Sequence, residues 1–205
     1  MTMHSVSRRT ILRAGLAVAG TGVLAACTGD EATRARFVAP DGDEVRAAEA
    51  RRNPGTVRDV KLSAAVGPVD LGGTTVTTWT YGGPLPGAPI RVKAGEVLRA
   101  TIHNGLPGDT SVHWHGMHLP AEMDGGPHQM VDPGAAWSPE WAIDQQAATL
   151  WYHPHPHGET EKHVARGLAG MFILHDDYER SLGLLSEYGV DDVPLIVQDS
   201  GFSAD

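Results

Sequence analysis

The chain has 205 residues, 41% of them hydrophobic, and a formal net charge of -9. That length suits one globular domain with extra segments. An acidic balance with no Lys/Arg-rich stripe beyond the first residues lacks the footprint that nucleic-acid binding needs, and 25 glycines with 14 prolines point away from a helical bundle and toward a turn-rich β protein.

The first segment is an address. Ser7-Arg8-Arg9-Thr10-Ile11-Leu12-Arg13 precedes an apolar run from Ala14 to Ala26, the layout of a cationic region followed by a secretory apolar core. The run is too short to span a bilayer, which takes roughly 20 apolar residues, and Gly15, Gly20 and Gly22 weaken it as a helix. It resembles a twin-arginine (Tat) signal, a route that exports folded proteins. The expected location is therefore the periplasm or the outer face of the cytoplasmic membrane. Leu24-Ala25-Ala26-Cys27 resembles a lipobox, in which Cys27 would be acylated and anchor the chain to a membrane. The other reading is an ordinary cleavage site with an incidental cysteine. Cys27 is the only cysteine, so no disulfide can close within the chain. On this division residues 1–27 are the signal, 28–57 a linker and 58–205 the folded domain. Within the linker Glu44 to Arg52 could form a short helix, but it has no wide apolar face, and a solvated or disordered extension is expected.

After Pro54-Gly55 short β-prone runs alternate with turn residues. Strands are expected over Val60 to Val66, Thr74 to Tyr81, Ile90 to Val92, Val97 to Ile102, Ser111 to His115, Trp137 to Ile143, Thr149 to His153, Ala169 to His175 and Val193 to Gln198. Helices are expected near Glu159 to Arg166 and Tyr178 to Tyr188. With no repeated helix between the strands, the pattern predicts an all-β, antiparallel Greek-key β-sandwich rather than a parallel α/β sheet.

Eleven histidines are present, nine of them between His103 and His163. His113-Trp114-His115-Gly116 falls on a predicted strand, where side chains at i and i+2 project to one face about 6 to 7 Å apart. Two imidazoles thus converge while Trp114 points into the sandwich. A second pair, His153-Pro154-His155, follows Trp151-Tyr152. Pro154 cannot donate to a central ladder, so this pair is expected at an edge strand or a strand end, open to a ligand. His157 lies beyond Pro156, where the strand should have ended, and is not placed in the set. Neutral imidazole suits copper, zinc, nickel and iron, so the four histidines alone do not name the metal.

The order His113-Trp114-His115-Gly116, Met123-Asp124-Gly125-Gly126-Pro127, Trp151-Tyr152-His153-Pro154-His155 and Gly167-Leu168-Ala169-Gly170 resembles the multicopper oxidase family, laccases and bacterial cuprous oxidases included. The likeness covers most of residues 60 to 199. It implies a cupredoxin-like (plastocyanin-like) amino-terminal domain that supplies half the ligands of a trinuclear copper cluster reducing dioxygen to water. By that resemblance His113 binds the type 2 copper, and His115, His153 and His155 bind the type 3 pair. Asp124 matches an acidic position that assists proton delivery in the family; as a residue of Asp124-Gly125-Gly126 it also reads as a plain turn former. Met117, Met123 and Met130 could offer soft Cu(I) ligands, and ordinary packing explains them as well. His118, His128, His163 and His175 match no role and are expected at the surface or behind the ligands.

A complete member of that family also needs a type 1 copper with a His₂Cys site, and its His-x-x-His-x-His and His-Cys-His stretches. Neither stretch occurs here, and Cys27 belongs to the export signal. The expectation is a truncated gene product or one piece of a split oxidase, whose partners are copper ions, dioxygen and a second chain or further domains carrying the type 1 copper. Two other readings stand beside it: a copper-binding or detoxification protein of the cell envelope without turnover, and a zinc site of three or four histidines.

Overall fold

The computed structural model describes residues 42–43, 46–47 and 55–199. The signal-like segment, Cys27 and most of the linker, including most of the helix expected over Glu44 to Arg52, lie outside the described residues.

Among the described residues from Gly55 on, nine strands and two short helices follow in chain order: β1 Val57–Asp70, β2 Thr75–Thr80, β3 Gly87–Lys93, β4 Val97–Gly105, β5 His113–His115, β6 Ala136–Trp137, β7 Glu140–Ala142, β8 Ala148–His153, α1 Thr160–Ala165, β9 Gly170–His175 and α2 Asp177–Ser181. One sheet runs β2-β1-β4-β6 with β7 also paired to β4, and the other runs β3-β9-β8-β5. The all-β sandwich is as expected, but its pairing is mixed. The expectation of purely antiparallel strands is corrected at two places: β1 runs parallel to β4 over Val57–Ala65 and Val97–Gly105, and β3 runs parallel to β9. Period-two alternation reports which face a residue takes and carries no information on strand direction.

Three further expectations change. Pro139 has no N–H for a ladder and splits the run over Trp137 to Ile143 into β6 and β7, while its carbonyl still accepts from the Ala100 N–H at 3.0 Å. The helix expected over Tyr178 to Tyr188 stops at Ser181, with Gly183 at φ +64° just beyond, a left-handed position that ends helices. Val193 to Gln198 is not a strand, and Val193, Leu195 and Val197 are exposed. A β-prone run makes a strand only where an edge pairs with it.

The core lies between the sheets. Leu62, Leu98, Ala100 and Ile102 from the first meet Ile90, Val92, Trp114, Tyr152, Phe172 and Leu174 from the second. Trp114, Tyr152 and Phe172 are fully buried, and truncating one such aromatic to alanine costs roughly 3 to 5 kcal/mol. Trp114 packs on Trp141 of the opposite sheet, ring centroids 5.1 Å apart. The Gly167-Leu168-Ala169-Gly170 run has a packing reason: Gly170 lies opposite Tyr152 in the ladder, and a Cβ on it would sit 2.2 Å from the Tyr152 ring and hydroxyl. The phenol thereby crosses the sheet and donates to Ala88 O at 2.8 Å.

Candidate metal centre

Strand β5 pairs antiparallel with β8, His113 opposite His153, Trp114 opposite Tyr152 and His115 opposite Trp151. Because side chains alternate faces, this register sends Trp114 and Tyr152 into the core. His113, His115, Trp151 and His153 then share the outer face of the sheet. The two His-x-His motifs meet there although 37 residues separate His115 from the next member of the set; only the strand pairing joins them. The second motif sits where β8 ends at His153, as Pro154 requires.

The nearest nitrogens of His113, His115 and His153 lie within 4.8 Å of one another. His115 Nδ1 and His153 Nε2 face each other at 3.1 Å. Two nitrogens at that separation, each about 2.0 Å from one ion, subtend about 100°, between square-planar and tetrahedral values. His155 stands outside this tight trio. Its backbone N–H donates to Ser111 Oγ at 2.9 Å, and its ring centroid lies 5.3 Å from that of His113, beside the trio.

The protonation pattern leaves lone pairs free. Carbonyl oxygens only accept, so His153 donates Nδ1–H to Pro154 O at 2.7 Å and its Nε2 keeps the lone pair. His113 donates Nδ1–H toward Asp124, whose carbonyl oxygen lies at 3.1 Å and whose Oδ1 at 3.0 Å, and its Nε2 is free in the same way. Burial pushes the His153 pKa down to about 4; the Pro154 hydrogen bond opposes the shift, and the neighbouring imidazoles add to it. The ring is thus neutral, the form that ligates metal. Trp151 stacks on His153 at 3.9 Å between centroids and 25° between planes.

Asp124 caps the short 3-10 turn Ala121–Met123, as its turn-forming reading expects, and its carboxylate also faces His113. Its carbonyl accepts the Trp114 N–H at 3.3 Å as well. Gly125 makes the approach possible. At φ +73°, it lies so close to β5 that a Cβ would fall 1.8 Å from Val112 O.

The remaining candidates separate. Met117 and Met123 pack against the core, as ordinary packing predicts, while Met130 is exposed. His157 and Met130 line a different cleft together with Asp109 and Glu159. His163, expected at the surface or behind the ligands, is a core residue: its ring meets Trp79 edge-on at 4.8 Å, Nδ1 lies 3.2 Å from Thr110 Oγ1, and burial lowers its pKa. His175 is bound between Glu179 and Arg91. Sequence reasoning missed Ser111, Gln129 and Gln145. Gln129 and Gln145 bond to the two turns that follow β5, and an isolated amide side chain has no spacing signature by which to find it.

Residues 65–179 match the family described as multicopper oxidase. The chain is 38% identical over 130 residues to the multicopper oxidase mco of Staphylococcus aureus, covering 63% of this chain and 29% of that protein. It is 39% identical over 127 residues to the cell division protein FtsP of Escherichia coli (strain K12), covering 62% and 27%. Among solved structures, the McoA multicopper oxidase from the hyperthermophile Aquifex aeolicus superposes with a TM-score of 0.65 at 34% identity, covering 74% of this chain and 35% of that one. The chain spans between 27% and 34% of the length of the curated relatives it matches.

Proposed function

Because the chain belongs to the multicopper oxidase family, we propose that His113, His115, His153 and His155 bind copper as the amino-terminal half of a type 2/type 3 trinuclear site. The observation that carries this reading is the pair His115 Nδ1 and His153 Nε2, aimed at one point from two strands at 3.1 Å. His115 and His153 share one ion of the type 3 pair, His155 serves the other, and His113 holds the type 2 ion. The donor set fits: neutral imidazoles with free lone pairs, one kept neutral by burial, and hydrogen bonds behind the rings that fix their orientation. Copper, when bound, supplies the one-electron chemistry by which dioxygen is reduced.

The chain's own groups orient and carry protons. Asp124 holds the His113 ring by its Nδ1–H, and its carboxylate side chain is 35% exposed, open to water. It is placed to pass protons inward. The other ligands and the type 1 copper come from further domains or a second chain. Supporting this, Leu184, Leu185, Val193, Leu195 and Val197 are 63 to 91% exposed, an apolar surface that suits docking. Loading the chain with copper and following oxygen uptake, alone and with a partner carrying His-Cys-His, tests the reading. Copper bound without uptake until the partner is added is expected. A chain that takes up no copper, or that turns over alone, overturns it.

A second reading is a copper-binding envelope protein without turnover; beside it stands the similarity to a protein named for cell division rather than oxidation. It predicts copper binding with no oxygen consumption under any pairing. In both readings residues 1–27 export the chain and Cys27 anchors it by acylation. Cys27→Ala is then expected to shift the protein from the membrane to the soluble fraction on cell fractionation; equal membrane association of the variant would remove the anchor.

A further inference from the structure

Strand β5 carries two of the four candidate ligands yet has only three residues. It lies at the end of its sheet, paired to β8 on one side. A strand this short has little ladder to fix its position, so the two turns that follow it in the chain, Gly116–His118 and Glu122–Gln129, must hold it.

Each turn is gripped by one glutamine amide. Beside β5, where Asp124 O takes the Trp114 N–H, Gln129 Oε1 accepts the Gly125 N–H at 2.6 Å, and its Nε2 donates to Glu122 O. One amide thus spans the turn that presents Asp124 to His113. After β5, Gln145 Oε1 accepts the His118 N–H at 2.6 Å, and Nε2 donates to Gly116 O at 3.2 Å. The second amide spans the turn that follows His115. Each uses donor and acceptor together, a pairing that a carboxylate or a hydrocarbon of the same size cannot reproduce.

We infer that Gln129 and Gln145 are positioning residues, the first setting the His113 ring through Asp124 and the second setting His115 through the Gly116–His118 turn. The inference deepens the copper reading and rests on it for its purpose, but the clamps act on ring orientation before any metal binds. Loss of the first frees the turn that accepts His113 Nδ1–H. Loss of the second lets His115 Nδ1 swing from His153 Nε2.

The test uses the full chain, metal-free and ¹⁵N-labelled, at a pH above the imidazole range, with histidine side-chain spectra reporting which nitrogen of each ring carries the proton. In the metal-free wild type His113 is Nδ1–H toward Asp124, and His115 is Nδ1–H toward the His153 Nε2 lone pair, a proton that copper displaces on binding. Gln129→Ala is expected to turn His113 into a mixture of tautomers and leave His115 unchanged; Gln145→Ala does the reverse; Gln146→Ala, at the exposed neighbouring position, alters neither. Each active variant lowers copper(II) affinity about tenfold, the lower end of the range for groups behind metal ligands, with a changed copper(II) electron paramagnetic resonance signature. Gln129→Glu and Gln145→Glu, which keep the acceptor and lose the donor, show the same ring-specific changes in smaller degree and serve if the alanine variants do not fold. Wild-type tautomers in every variant overturn the inference, as do changes in all rings together with a lost cooperative melt. If ring-specific changes occur but the wild type binds no copper, the copper reading fails and the clamps stand.

Discussion

A chain carrying His113→Ala and His153→Ala together is expected to keep its fold and lose its copper. The two residues lie opposite each other on the outer face, so their removal takes one ligand from each strand and breaks the point on which the trio converges. Trp114 and Tyr152, which fill the core from the same two strands, are untouched. His153 is also the ring whose charged form burial disfavours, so its loss removes a group that is costly to protonate rather than one that builds the core. Copper affinity should fall by at least about 100-fold, roughly 2.7 kcal/mol, while the far-ultraviolet circular dichroism is retained. Metal analysis after gel filtration reads the outcome. Undiminished copper in the double variant would move the site elsewhere, with the cleft holding His157 and Met130 the first place to look.

A large stability change is expected at Gly125. Alanine there must hold a left-handed φ, which disfavours a side chain by about 1 to 2 kcal/mol. Its Cβ would also lie 1.8 Å from Val112 O and 3.0 Å from His113 N. These are backbone atoms that cannot rotate away, so either the turn or β5 must shift, adding about 1 to 3 kcal/mol as overpacking does. Gly125→Ala should therefore destabilise the domain by about 3 kcal/mol in denaturant titration, and it should impair copper binding because Asp124 leaves His113. A variant with wild-type stability would show that the turn and strand separate at little cost. Gly134→Ala is the comparison: it is left-handed too, at φ +78°, but open space surrounds it, and it should show the backbone cost alone.

The same contrast marks what the sequence made legible. Period-two spacing placed His113 and His115 on one face and Trp114 on the other, and the structure agrees because a strand leaves no other choice. The end of β8 at His153 followed from a chemical fact about Pro154. Local chemistry of this kind reads directly. What brings His113 opposite His153 is a pairing between distant segments, and no local pattern states it; the family resemblance implied that the motifs cooperate without giving the register. The parallel partners of β1 and β3 were unreadable for the same reason. Val193 to Gln198 failed the opposite way: its composition suits a strand, but the described residues give it no ladder. The Gln129 and Gln145 amides were missed because their function lies in spanning a turn, and polar residues in loops rarely carry a spacing of their own.

Parallel pairing of β3 with β9 has a consequence for how the chain is made. Gly87 meets Gly170, about 80 residues later, and pairings between such distant segments form slowly. During synthesis the second sheet cannot close until β9 has left the ribosome, after both histidine motifs. A metal ion arriving earlier would meet each His-x-His alone on an unfolded segment. Selective metal loading is therefore favoured only once β9 has paired with β3 and β8.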